Sequence, residues 1–130
     1  MSQAPVPPVP YDRYLPYCEL TELLHAFAET RPDLVRLETI GTSHEGREIH
    51  LATITRFATG LDTEKPGFWV DGNIHATEVS PATACLTLIH KLLSSTRSFC
   101  PTSSLLSCPC LTNPCVITRH LWLKRKWSKS

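Results

Sequence analysis

Regular hydrophobic periodicity in this 130-residue sequence ends near residue 93, which limits how much of the chain can form a packed core. Residues 1–78 carry six basic and 12 acidic side chains, whereas residues 79–130 carry seven basic and no acidic ones. The formal charge therefore changes from −6 to +7, and all five glycines lie in the first part. The chain consists of two compositionally different parts, and the first is long enough for one modest core.

The sequence predicts three segments. Residues 1–16 hold five of the 11 prolines, so we expect an extended, loosely ordered linker. Residues 17–94 show the regular patterns of a globular domain. Residues 95–130 form a basic stretch rich in Ser and Cys without a sustained period, and we expect a disordered tail without a packed element. The abrupt change is typical of a shifted reading frame or an alternative terminal exon.

Two segments show the spacing of an amphipathic helix. In the first, about residues 18–29, apolar side chains recur at i, i+3, i+4 and i+7 (Leu20, Leu23, Leu24 and Phe27). The second reaches about Ser94 and begins at Ser80 and Pro81. A hydroxyl N-cap followed by proline at the first helical position favours a helix start there.

Three segments predict β-strands. Alternating apolar residues at 35–39 and 49–53 flank the turn-forming segment 41–46, which predicts an antiparallel pair. The apolar run Phe68–Val70 predicts an interior strand covered on both faces. The order helix, strand pair, strand and helix is typical of the opening of a doubly wound α/β domain. A functional site is expected beyond the carboxyl end of the third strand.

A histidine and a glutamate three positions apart, His75 and Glu78, follow that third strand. A neutral imidazole and a carboxylate at this spacing can bind one Zn²⁺ as two of its ligands. Each residue also has a simpler explanation: a polar side chain at a strand end, and an acidic charge favoured near a helix N-terminus.

Two sequence blocks resemble the zinc carboxypeptidases (funnelin metallopeptidases). The segment Gly41–Arg47 is similar to the family's Gly-x-Ser-x-Glu-Gly-Arg, and His75-x-x-Glu78 is followed by Ser80-Pro81-Ala82-Thr83. The resemblance covers about residues 14–93. It implies that residues 17–94 are the N-terminal fragment of a doubly wound zinc-carboxypeptidase-like domain.

The same resemblance implies that His75 and Glu78 are metal ligands of one Zn²⁺, and that full-length relatives remove C-terminal residues from peptides or proteins. In the family the third ligand, the catalytic base and the substrate-binding residues lie downstream, so we expect an incomplete site and a chain that is inactive alone. Thr77 stands where many members have arginine. No catalytic or substrate-binding residue is therefore assigned.

The remaining histidines and cysteines predict no second metal site. His44 and His50 are expected at the surface and His90 on a solvated helix face, while His120 lies in unpatterned sequence. The four late cysteines do not match the paired C-x₂-C spacing of structural zinc sites. We expect the six cysteines to be buried or incidental thiols and not disulfides.

The sequence does not begin with a basic region followed by an apolar run, so it predicts no signal peptide. No apolar stretch approaches the roughly 20 residues that a membrane span needs. We therefore expect a cytoplasmic location or leave the compartment unassigned. Two alternatives stay open: a non-catalytic, truncated or alternatively spliced product, and a binding module built on the basic, Trp-containing segment 121–129. We expect no nucleic-acid partner.

Overall fold

The computed structural model describes residues 4–75 and 77–95, together with the backbone of 104–108. Two short 3₁₀ turns, Phe57–Thr59 and Asp62–Glu64, lie between the second and third strands. The helices and strands follow in the order α1 (Tyr17–Thr30), β1 (Val35–Thr42), β2 (Glu48–Ile54), β3 (Gly67–Asp71), α2 (Ser80–Ser94) and β4 (Ser104–Cys108). The predicted α/β class and the order of its first five elements are confirmed.

The helix α1 follows the predicted apolar stripe. Leu20, Leu24 and Phe27 are buried on one face, and each fully buried side chain of this kind contributes about 1.5–3 kcal/mol to folding. The helix ends at Thr30, where the Arg31 N–H donates to the Phe27 carbonyl before Pro32. Proline disfavours helical geometry in the residue before it, so the chain turns towards β1.

The strands β1 and β2 form the predicted antiparallel pair, with Val35 opposite Ile54 and Thr42 opposite Glu48. The register shifts between Thr39 and Gly41, which marks a β-bulge. At the tip of the connection Gly46 has φ of +80°, a conformation that glycine adopts without steric cost.

The strand β4 occupies a position that the sequence did not predict. The sheet order is β1-β2-β4-β3, so β4 pairs antiparallel with β2 and parallel with β3. The prediction that no packed element follows residue 94 is wrong for Ser104–Cys108. Apart from Ser95, which directly follows α2, the rest of the predicted tail lies outside the described residues. Because β3, α2 and β4 form a β-α-β unit, the carboxyl ends of β3 and β4 meet at one edge of the sheet.

In the described sheet β3 is an edge strand. Phe68 is 66% exposed and Trp69 is 40% exposed, whereas Val70 packs against the core. The prediction that this run is covered on both faces is wrong in the part of the chain that the structure describes, because Phe68 and Trp69 point to opposite faces of the strand and both are exposed there.

Both helices share one hydrophobic core with the strands, and its α2 members are Ala82, Leu86, Ile89 and Leu93. Val9 is buried in the same core, with Val6 and Leu15 packed against it. The N-terminal segment is therefore packed on the domain, and a loosely ordered linker is not what the structure shows. No helix in the described ranges is long and apolar enough to cross a bilayer.

The start of α2 is capped differently from the prediction. Val79, not Ser80, is the N-cap residue, and its side chain makes no capping hydrogen bond. Instead the Asn73 side chain reaches the helix from the preceding loop, and its Oδ1 accepts the Ala82 N–H at 2.9 Å. Next to it Gly72 packs so closely on Pro81 that a Cβ at position 72 would lie 2.8 Å from the Pro81 carbonyl carbon.

The other end of α2 is held by Arg31. Its guanidinium donates to the Leu93 carbonyl at 2.9 Å, which satisfies one of the helix's last acceptors. The same guanidinium forms two hydrogen bonds with the Asp33 carboxylate and lowers the pKa of Asp33. The end of α1 is thereby joined to the end of α2.

His50 is buried between β2 and α1, with 2% of its surface exposed. Its ring meets His25 of α1 edge-on at a centroid distance of 5.6 Å, and its Nε2 lies 3.7 Å from the Glu48 carboxylate. Within the described residues neither ring nitrogen has a hydrogen-bond partner. The prediction of a surface position is wrong for His50, because β2 is a central strand covered on both faces; His44 is exposed as predicted.

Replacing Gly72 by alanine should destabilise the fold by about 1–3 kcal/mol, because the new Cβ meets backbone atoms that cannot rotate away. Urea unfolding would measure the loss. Gly41→Ala is the matched control: its Cβ would meet only Ile49 Cδ1, at 3.9 Å, so the free energy of unfolding should change by less than about 0.5 kcal/mol. Equal effects of the two substitutions would contradict the close packing of Gly72.

The buried imidazole should make the stability depend on pH. Burial is the main cause that lowers the pKa of His50 below its ordinary value of 6.5, so below that pH the unfolded chain binds more protons than the folded one. The free energy of unfolding should therefore be steady above neutral pH and fall as the pH drops through 6.5. Urea unfolding at a series of pH values would measure this. His50→Leu should flatten the dependence in that range, and an unchanged slope would contradict it.

Candidate metal centre

His75 and Glu78 lie on one short turn at the carboxyl end of β3. The Glu78 N–H donates to the His75 carbonyl at 3.0 Å, so the backbone bends back on itself between the two residues. β3 ends four residues before His75, and α2 begins two residues after Glu78. This is the position expected from the sequence, beyond the end of a strand and before a helix.

Both side chains are exposed. Within the described residues, neither forms a side-chain hydrogen bond or an ion pair with another group, so both remain available to a ligand. An imidazole nitrogen and a carboxylate oxygen are donors that Zn²⁺ takes in proteins. The chemistry of the pair therefore fits zinc, as two of the three protein ligands of a catalytic site.

No third ligand joins the pair in the part of the chain that the structure describes, where no group of three or more His, Cys, Asp and Glu side chains could hold a metal ion. His90 is half-buried, with its ring 6.4 Å from that of Phe27 and its Nε2 3.5 Å from Ser94 Oγ, so it is less solvated than predicted. His120 lies outside the described residues, and Thr77 is exposed beside the pair.

Two residues that the sequence did not single out anchor this turn. Gly72 and Asn73 stand between β3 and His75, and both are buried although their neighbours on the turn are exposed. Asn73 has φ of +58°, a left-handed conformation that asparagine adopts more readily than most residues. A Gly-Asn pair directly after an apolar strand was the available signal, since both residues favour sharp changes of direction.

Comparisons with known proteins identify the family to which the chain is similar. The family model described as zinc carboxypeptidase matches residues 20–106, a range that continues past Leu93 into β4. The likeness therefore extends further than the sequence blocks indicated. Carboxypeptidase B of Astacus astacus is 31% identical over 87 residues, which are 66% of this chain and 27% of that protein. Carboxypeptidase A1 of Rattus norvegicus is 35% identical over 68 residues, 52% of this chain and 15% of that protein.

Solved structures share the fold. The crystal structure of carboxypeptidase A from Helicoverpa armigera superposes with a TM-score of 0.69 at 27% identity, over 77% of this chain and 25% of that one. This chain thus spans about a quarter or less of the length of these relatives. The family model nevertheless covers most of the described residues, including the turn with His75 and Glu78. The chain therefore belongs to the zinc carboxypeptidase family.

Proposed function

We propose that His75 and Glu78 are two protein ligands of one Zn²⁺ in a carboxypeptidase centre that acts on the C-terminal end of a peptide or protein. One observation carries the proposal: both side chains project, exposed, from a turn closed by a 3.0 Å backbone hydrogen bond at the carboxyl end of β3. The substrate class is supported by the relatives, which are named carboxypeptidases.

The roles of the two residues follow from their donor atoms. His75 supplies an imidazole nitrogen and Glu78 a carboxylate oxygen, and together they hold and orient the ion. An ion held there would supply Lewis-acid chemistry: it would polarise the scissile carbonyl and lower the pKa of its coordinated water. A carboxylate that binds the metal is not free to take a proton from that water. Glu78 is therefore assigned as a ligand and not as the general base.

We further propose that the 130-residue chain alone supplies only part of the centre and does not hydrolyse peptides. Catalytic zinc sites use three protein ligands and one open position, and the described residues contain no group of three or more His, Cys, Asp and Glu side chains that could hold a metal ion. The chain covers 27% and 25% of the length of two of these relatives, which supports the same proposal. The exposed aromatic side chains of β3 favour a second candidate, a non-catalytic product prone to aggregation at that edge.

Zinc titration of the dialysed protein should show weak, reversible binding that depends on both residues. His75→Ala and Glu78→Ala should each lower the zinc affinity by at least ~10–100-fold. That is the range for losing an outer-shell partner, and each substitution removes a direct ligand. Isothermal titration would measure the affinities. His44→Ala is the control, since His44 is exposed in the hairpin loop and should leave the affinity unchanged. Wild-type affinity in both ligand variants would exclude the metal pair.

The chain with added Zn²⁺ should release no C-terminal residue from a blocked dipeptide substrate, because two ligands do not form a complete catalytic centre. Release of the free amino acid, followed by chromatography, is the measurement. Hydrolysis that a chelator abolishes and that His75→Ala removes would overturn the incomplete-site proposal, while supporting the metal pair itself.

A further inference from the structure

Asn73 makes two contributions to the loop between β3 and α2. Its backbone adopts φ of +58°, which redirects the chain after β3. Its side chain is directed into the protein, where Oδ1 accepts the Ala82 N–H at 2.9 Å and only 6% of the residue is exposed. A buried amide therefore joins the loop to the first turn of α2.

This hydrogen bond joins the two ends of the segment that contains the proposed ligands His75 and Glu78. Asn73 precedes His75 by two residues, and Ala82 follows Glu78 by four, so one side-chain contact closes the segment that carries both ligands. The backbone hydrogen bond between His75 and Glu78 lies inside that segment. Beside the contact, Gly72 rests against Pro81 with no space for a Cβ. The two ends of the turn are thus fixed to rigid elements.

We propose that Asn73 is a positioning residue that holds His75 and Glu78 in the relative orientation that one cation requires; this inference rests on the metal pair proposed above. Both ligands are exposed and, among the described residues, no side chain holds them in place. Their preorganisation must therefore come from the backbone of the turn. Ligands already ordered before binding lose less conformational entropy when the ion binds, so the affinity is higher.

A general effect on folding is the competing explanation, because an N–H left unpaired in a buried position also destabilises the helix. The two explanations differ in one measurable quantity. A purely structural role changes the fraction of folded protein, whereas a positioning role changes the zinc affinity of the folded protein. The affinity must therefore be measured at a temperature at which every variant is folded.

The decisive variant is Asn73→Gly, because glycine accepts the positive φ and removes only the side-chain acceptor. Zn²⁺ titration followed by NMR at the His75 imidazole would report the affinity of the folded protein. We expect binding about tenfold weaker than wild type, the lower end of the range for outer-shell partners. Asn73→Asp keeps an acceptor for the Ala82 N–H and should return the affinity towards wild type.

Two controls separate the possible outcomes. Ile89→Val removes one buried methylene from the same helix and should leave the affinity of the folded protein unchanged. The positioning role is wrong if Asn73→Gly binds zinc with wild-type affinity. It is also wrong if Asn73→Asp or Ile89→Val binds zinc as weakly as Asn73→Gly does. If His75→Ala binds like wild type, the metal pair itself is wrong.

Discussion

The contact between the loop after β3 and the first turn of α2 determines where His75 and Glu78, the proposed metal ligands, lie. Gly72 allows the loop to approach the backbone of Pro81, and Asn73 supplies the acceptor that the Ala82 N–H would otherwise lack. The acceptor is needed because the first N–H groups of a helix have no partner within it. The loop can thus leave His75 and Glu78 exposed to solvent while Gly72 and Asn73 are buried.

The helix α2 is suited to carry such a turn because it is held along its whole length. Its N-terminal end is joined to the loop through Asn73, and its C-terminal end is joined to α1 through Arg31. Between them Leu86 and Ile89 are completely buried in the core shared with α1 and the sheet. A shift of the helix would disturb all three contacts together. The turn that precedes the helix is therefore held in place by the close-packed core.

Sequence patterns predicted the elements that depend on local periodicity. The stripe through Leu20, Leu24 and Phe27 identified α1, and the position of His75 and Glu78 after an apolar strand was correct. Features that depend on distant partners were not predictable in the same way. His50 is buried because its ring packs against His25 of α1, and the Asn73 side chain caps a helix that begins seven residues further on. Neither fact follows from the residues adjacent in sequence.

The position of β4 also affects how the chain can assemble during synthesis. β2 and β3 are successive strands, yet β4 lies between them, so in the described sheet β3 has no ladder partner until residue 108 has been made. At ~5–20 residues per second, the interval between completion of β3 and of β4 is roughly 2–7 seconds. During that time a strand with Phe68 and Trp69 is available to chaperones on the nascent chain. Ribosome pausing within residues 72–108 would lengthen this exposure and increase the share of chains that are degraded before they fold.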